Sequence, residues 1–300
     1  MKHRLISGLF ALLALTSFPA GVSAQNLMDV FGEEEPSTQY AYATFKTTRI
    51  VSGHSIENPA NGVLLFMISH HFGKVNSGAY DLFGLDQATI RLGLEYGVND
   101  FISVGIGRST YQKSYDGFIK AKVLRQSEGA RNMPLSVTLF SAMDLFSLKW
   151  SDPDRENYFS SRLSYVHQIM LARKFSDRLS VQVTPTFIHK NLVKASTDDN
   201  DTYAIGTAGR FKITKRLSVN AEYFHVLPGS VADDFENPLS VGVDIETGGH
   251  VFQLHFSNAQ PMFERAFLTE TKGKWTNGDI YFGFNISRVF TIRKPSMPAE

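Results

Sequence analysis

From residue 63 onward, apolar and polar side chains alternate in segments of about ten residues, separated by turns. Gln87–Tyr96 is the clearest case. Ala88, Ile90, Leu92, Leu94 and Tyr96 share one face, while Gln87, Thr89, Arg91, Gly93 and Glu95 share the other. Gly97-Val98-Asn99-Asp100 forms a turn, and Ile102, Val104 and Ile106 then alternate with Ser103, Gly105 and Gly107. The pattern returns at 179–187, 217–223, 239–246 and 280–290. Successive side chains of a strand point to opposite faces, so each segment reads as a strand with one apolar and one polar face. Beyond Leu15 no apolar run reaches about 18 residues, so no helix can span a bilayer. Two folds remain: a soluble antiparallel sandwich with one wet face, or a closed barrel with its apolar face outward.

Three features favour the barrel. The strands run to about ten residues, against a usual five or six. Aromatic residues recur near their ends, at Tyr96, Phe101, Tyr115, Phe175, Tyr203, Phe211 and Tyr223, as interfacial girdles do. Connections alternate between short (97–100, 175–178, 214–216, 247–249) and long (73–86, 147–158, 191–201, 227–238, 257–278). Strands are predicted at 63–72, 87–96, 101–110, 115–125, 135–145, 159–173, 179–189, 202–213, 217–226, 239–247, 250–257 and 279–290. The fold class is therefore all-β, a closed antiparallel transmembrane barrel of about twelve strands over residues 57–290, followed by a tail at 291–300. Two joints fit less well: 111–114 is short where a long loop is due, and 126–134 is long where a turn is due.

The N-terminus reads as a signal peptide over residues 1–24. Met1-Lys2-His3-Arg4 is basic, Leu5–Leu15 is apolar but too short to span, and Val22-Ser23-Ala24 resembles a cleavage site. The expected mature chain begins near Gln25. No cysteine occurs anywhere, which removes disulfides, thiolate metal sites, cysteine nucleophiles and lipid-anchored cysteine. A formal net charge of +1 argues against a nucleic-acid surface. Residues 25–56 form an acidic lead-in and an N-terminal segment for the lumen or periplasm. Within it Ala43–Ser52 alternates poorly, with charge on both sides, and an even-stranded barrel leaves it unpaired.

The runs FKTTRIVSGHSIENPANG (Phe45–Gly62), HHFG (His70–Gly73), LFGLD (Leu82–Asp86), RLGLEYGVND (Arg91–Asp100), VGIGRS (Val104–Ser109), KSYDGFIKAKVLRQ (Lys113–Gln126) and NMPLSVTLF (Asn132–Phe140) together resemble a family of exported Gram-negative proteins. That family is described as a membrane bound beta barrel domain of unknown function. His71 stands where the motif leads one to expect Arg. The resemblance implies an outer-membrane barrel in a Gram-negative bacterium and assigns no catalytic, cofactor-binding or metal-binding residue.

The polar-face charges are the main candidate functional set. Arg91, Lys120, Lys122, Arg162, Arg210 and Lys212 oppose Glu95, Asp116, Asp144, Glu222, Asp244 and Glu246. In a barrel these would line the lumen, as a wet pore or a salt-bridged plug. The segment 43–52 is expected inside the barrel or across its mouth, with Lys46 or Arg49 paired to Glu95, Asp244 or Glu246. His70 and His71 are adjacent and must face opposite ways, and His255 or His189 could approach them only through the barrel. A metal site is therefore not expected, nor is any cofactor. Ser69, His70 and Asp116 lack the spacing of a hydrolase, and Gly105-Ile106-Gly107 sits mid-strand rather than in a phosphate loop. His167 shares the apolar side of its strand, an expensive place for a histidine in lipid. The expected partners are outer-membrane lipid, a small solute, and the assembly machinery during biogenesis, with no nucleic acid. Three roles follow: a passive channel or uptake pore, a plugged barrel that anchors or binds through its outer loops, and, least favoured, a barrel hydrolase.

Overall fold

The computed structural model describes residues 37–193, 199–228, 231 and 234–293. The predicted signal peptide, residues 25–36 of the lead-in and residues 294–300 of the tail lie outside these. In chain order the strands are β1 (Thr38–Tyr40), β2 (Val63–Lys74), β3 (Ala88–Gly97), β4 (Ile102–Ser109), β5 (Tyr115–Leu124), β6 (Ser127–Gly129), β7 (Ser136–Leu145), β8 (Leu163–Lys174), β9 (Leu179–Lys190), β10 (Asp201–Lys212), β11 (Leu217–Val226), β12 (Leu239–Thr247), β13 (His250–Ser257) and β14 (Tyr281–Thr291). Twelve of them close into an antiparallel barrel, while β1 and β6 form a separate two-stranded ribbon. Each wall strand pairs with its sequence neighbours in the wall, and β14 pairs with β2 from Tyr281↔Lys74 to Thr291↔Val63. Closure satisfies the backbone of every wall strand on both sides and leaves no edge.

The alternation sorts side chains as the sequence requires. On β3, Leu92 and Leu94 are 46% and 39% exposed, while Arg91 and Glu95 are 2% and 4% exposed. The outward face continues around the wall through Ile106, Ile119, Leu139, Ile169, Ile205, Val219, Val241 and Leu254. An apolar band encircling the whole molecule suits a bilayer and nothing aqueous. Aromatics mark its rims, and Arg108, Arg173 and Arg288 lay their guanidinium groups over Tyr115, Phe175 and Phe290. Such stems bury in the band while the charge reaches its edge.

The two ill-fitting joints have structural reasons. Residues 127–129 pair with 38–40, so the long connection between β5 and β7 is a ribbon that steers the N-terminal chain toward the barrel mouth. The short β4–β5 connection leaves its rim low, and the long β13–β14 connection folds over it into the barrel. That connection carries α1 (Glu264–Glu270), of which all residues but the last are buried.

Candidate functional site

The lumen is occupied from both ends. Residues 43–62 enter at the mouth of the short turns, because they lead directly into Val63 of β2. They rise, reverse at 50–53 and descend: Ile50 N–H donates to Gly53 O at 2.9 Å, and Ser55 N–H to Thr48 O at 2.9 Å. Arg49 and His54 face each other across this hairpin. From the opposite mouth, α1 descends to meet it.

The wall grips the hairpin mainly through its backbone. At the turn, Glu222 on β11 accepts N–H groups from Val51 (3.2 Å), Ser52 (2.7 Å) and Gly53 (3.2 Å). Gln253 on β13 donates to the carbonyls of Arg49 (3.3 Å) and Ile50 (3.0 Å), and Asn285 on β14 to that of Val51 (2.8 Å). On the descending limb, Gln182 on β9 accepts from Ile56 N–H at 3.0 Å and donates to His54 O at 2.8 Å. Lys120 on β5 donates to Glu57 O, and Arg210 on β10 donates to Ala43 O at 3.0 Å. Backbone recognition of this kind holds a fixed chain path with little dependence on side chains.

Ion pairs join the two inserted segments to each other and to the wall. Arg49 pairs with Glu264 of α1 at 3.0 Å, both nearly fully buried, and Arg49 Nη2 donates to His54 Nε2 at 2.9 Å. His54 lies between the rings of Phe118 and Phe140, with centroids 4.6 and 4.5 Å away. Burial first, and then the positive charges of Arg49, Lys120 and Arg91, hold its pKa well below the usual histidine value, so it is neutral. Arg265 of α1 pairs with Asp144 on β7 at 3.1 Å and with Glu270. Glu270 also accepts from Tyr111 at 2.8 Å and Gln112 at 2.7 Å in the short β4–β5 connection. An apolar cluster fills one side of the lumen: Phe45, Ile50 and Ile56 of the hairpin, Phe267 and Leu268 of α1, and Phe140, Met170, Ile188 and Phe224 of the wall.

The charges singled out from the sequence fall as follows. Arg91 pairs with Asp116, Nε to Oδ1 at 2.9 Å, and Lys120 with Glu95 at 3.1 Å. Gly107 makes the first pair possible, because an added Cβ would overlap both partners. Asp244 accepts from Ser218 at 3.2 Å and Gln253 at 2.9 Å. Lys46 pairs with Glu246, Lys122 approaches Glu57 at 3.9 Å, and Lys212 is half-buried at the end of β10. Arg49 meets Glu264 rather than Glu95 or Asp244, since α1 reaches it first. Arg162 is a correction. It precedes β8 on a short 3-10 turn, donates to the carbonyls of Phe146 and Leu148, and lies over the Trp150 ring, so it belongs to an outer loop and not to the lumen.

His71 and His255 do meet inside the barrel, Nε2 to Nε2 at 2.8 Å, and His71 Nδ1 lies 3.0 Å from Gln260 O. Gly283 allows the approach, since a Cβ there would overlap both imidazoles. His70 faces outward among Phe72 and Phe284, which separates it from inward Ser69 and from Asp116. Among the described residues no cluster of three or more His, Asp or Glu is set to hold a metal ion.

The profile of a family described as a membrane bound beta barrel domain matches residues 45–290, which take in nearly all of the inserted hairpin and of the wall. The chain belongs to this family. No curated protein sequence matches the chain. Among solved structures it is similar to the NanC porin (TM-score 0.48, 7% identity, 76% of this chain and 98% of that one). It is also similar to the KdgM porin (TM-score 0.44, 9% identity, 76% and 99%) and to an outer-membrane channel from Pseudomonas putida F1 (TM-score 0.47, 10% identity, 78% and 97%). The barrel assignment rests on the closed strand ladder itself and not on these likenesses.

Proposed function

We propose that this membrane barrel is an outer-membrane channel for a small solute, held closed by its own N-terminal hairpin and by α1, after export and removal of residues 1–24. The observation that carries the reading is the chemistry of the hairpin's seat. Glu222, Gln253, Asn285, Gln182, Lys120 and Arg210 hold it by polar contacts to its backbone. Each of these groups can be rehydrated when the hairpin leaves. Phe45, Ile50 and Ile56 pack apolar on the other side of the hairpin, so its seat is mixed, and the polar half favours release because buried charge is costly. The hairpin joins the wall only at Val63, and its other end leads out through the same mouth, so withdrawal requires no threading. With the hairpin gone, wall charges of both signs line the passage, which suits small neutral or zwitterionic solutes better than a single ion type.

Liposome swelling tests this. Proteoliposomes carrying the chain without residues 25–56 should swell in sugars and amino acids with a size cut-off, and full-length chain should swell little. A correctly folded truncated barrel that passes no solute would overturn the channel. It would favour the second reading, a plugged anchor binding through its outer loops, which the exposed apolar tip Tyr80, Leu82 and Phe83 supports.

A further inference from the structure

Across β5, β7, β8, β9 and β10 the lipid-facing wall carries a groove of about 640 Å³. Ile119, Leu139, Ile169, Phe187 and Ile205 line it, and its polar side chains are few. Two neighbouring rows of the sheet build it. The outer row runs Ile119, Ser141, His167, Phe187, Tyr203, each residue paired with the next. The row below it runs Ala121, Leu139, Ile169, Pro185, Ile205. Small Ala121 and flat Pro185 make this row low. Proline also has no N–H to give the ladder, and the β8–β9 register skips from Gln168↔Thr186 to Leu171↔Val183 around it.

His167 sits at the upper edge of this depression. Its ring lies nearly parallel to that of Phe187, with centroids 6.3 Å apart, and its Nδ1 is 3.0 Å from Ser141 Oγ. When the Ser141 hydroxyl donates to Nδ1, Nε2 carries the ring proton and presents a donor toward the groove. The pair lies two residues inward from Tyr165, about 5 Å along the membrane normal for a tilted strand. Tyr165 lies nearer the outer end of β8, so the pair sits toward the outer interface rather than at the midplane. An imidazole in hydrocarbon is expensive unless something at that depth satisfies it.

We propose that the groove binds one ester-linked acyl chain of an outer-leaflet lipid, with His167 Nε2 donating to the carbonyl of its ester linkage. The family is described as membrane bound, which puts lipid against this face. The apolar floor takes the chain, the low row gives it depth, and the His167 imidazole offers a donor at its upper edge. Chain burial alone gives no preference, since bulk lipid is equally apolar. Selectivity for this position therefore comes from the hydrogen bond and the fit. A second copy of the chain is a poorer occupant, because a two-fold contact would set groove against groove and leave the depression empty.

Native mass spectrometry of the full mature chain, reconstituted with palmitoyl-oleoyl phosphatidylethanolamine and released in mild detergent, tests the proposal. The wild-type barrel should retain one lipid. The dialkyl ether analogue, which lacks the carbonyls, should be retained roughly tenfold less by the unmodified protein. His167→Leu and the groove-filling Leu139→Trp should lower ester-lipid retention to a similar degree. His70→Leu, on the far wall, should leave it unchanged. Heat-modifiable gel mobility confirms that each variant is folded, and the ether comparison needs no variant at all. Equal retention of ester and ether lipid would overturn the proposal, as would equal loss in His70→Leu. A dimer abolished by Leu139→Trp would overturn it too, by showing that a second copy covers the groove.

Discussion

Replacing Glu222 by Ala removes the one acceptor shared by three backbone N–H groups at the hairpin turn. The strongest of these bonds, from Ser52, is 2.7 Å, and the others are 3.2 Å. Hydrogen bonds to a charged group contribute about 1.5–3 kcal/mol each in isolation, and a buried donor left alone costs about 1–3 kcal/mol. The three donors share one carboxylate, and water can enter a vacated lumen site, so the lower end applies. A loss of about 3 kcal/mol for the docked hairpin follows, against its released state. At about 1.4 kcal/mol per factor of ten, the released population rises on the order of 100-fold. Glu222→Gln keeps one carbonyl oxygen for Ser52 and should raise it only about tenfold. Single-channel recording in planar bilayers reads this directly as open-state occupancy, with thermal unfolding of the same samples as a check on the wall. The expected order is Glu222→Ala, then Glu222→Gln, then wild type. If both variants stay as closed as wild type while only the melting temperature falls, Glu222 supports the wall and the hairpin is not a separable plug.

Three further predictions rest on other contacts. Leu92→Arg places a charge in the apolar band and should destabilise the barrel by about 2–4 kcal/mol near the midplane, measured by urea unfolding in lipid vesicles. Arg49→Met strands Glu264 as an unpaired buried carboxylate and should cost the closed state about 3–5 kcal/mol. The double variant Arg49→Met, Glu264→Leu should recover most of that loss, and a purely additive double-mutant cycle would refute the pairing. The third concerns pH. His54 is held neutral with its pKa well below 6.5, whereas in a released hairpin it regains its ordinary value. The released state then binds more protons between those two values, so the closed state is fully favoured above about pH 6.5 and weakens as pH falls below it. Open-state occupancy should rise by up to about tenfold per pH unit below pH 6 in wild type. In His54→Gln the rise should be much smaller, and a pH response identical in the two proteins would exclude His54 as its source.

The wall was legible because period-two alternation dictates facing and pairing together: a slip of one residue would turn Arg91 and Glu95 into lipid. Strand ends agree with the sequence expectation to within a few residues, with β8 the largest departure, since residues 159–162 form a 3-10 turn before it. The tenancy of the lumen was legible only in part. Segment 43–52 announced itself by carrying charge on both sides, which no lipid-facing strand tolerates. Nothing announced α1. A seven-residue helix inside a long loop has no periodic signature, so Glu264 and Arg265 went unnoticed although they complete the ion pairs of Arg49 and Asp144. One signal was available. The inward side of β8 carries Val166, Met170 and Ala172 alongside Ser164 and Gln168, so its inner face is largely apolar. A wall strand facing water on its inner side has no reason to be, and such a strand marks where a plug packs. The alternation places His167 on the outer side of β8, an expensive position in lipid. The register holds, and the histidine is accommodated by Ser141 and the groove below it.

On the proposed reading, the hairpin closes a barrel able to stand without it. Planar-bilayer conductance of the full mature chain, compared with the same chain lacking residues 25–56, tests it most directly. The full chain should be silent or open only rarely, and the truncated chain should fold to the same heat-modifiable barrel and conduct in stable steps. A truncated chain that folds but stays silent would contradict the claim, because the hairpin would then not be what closes a channel. A truncated chain that cannot form the barrel would contradict it by showing the hairpin to be part of the wall's own core.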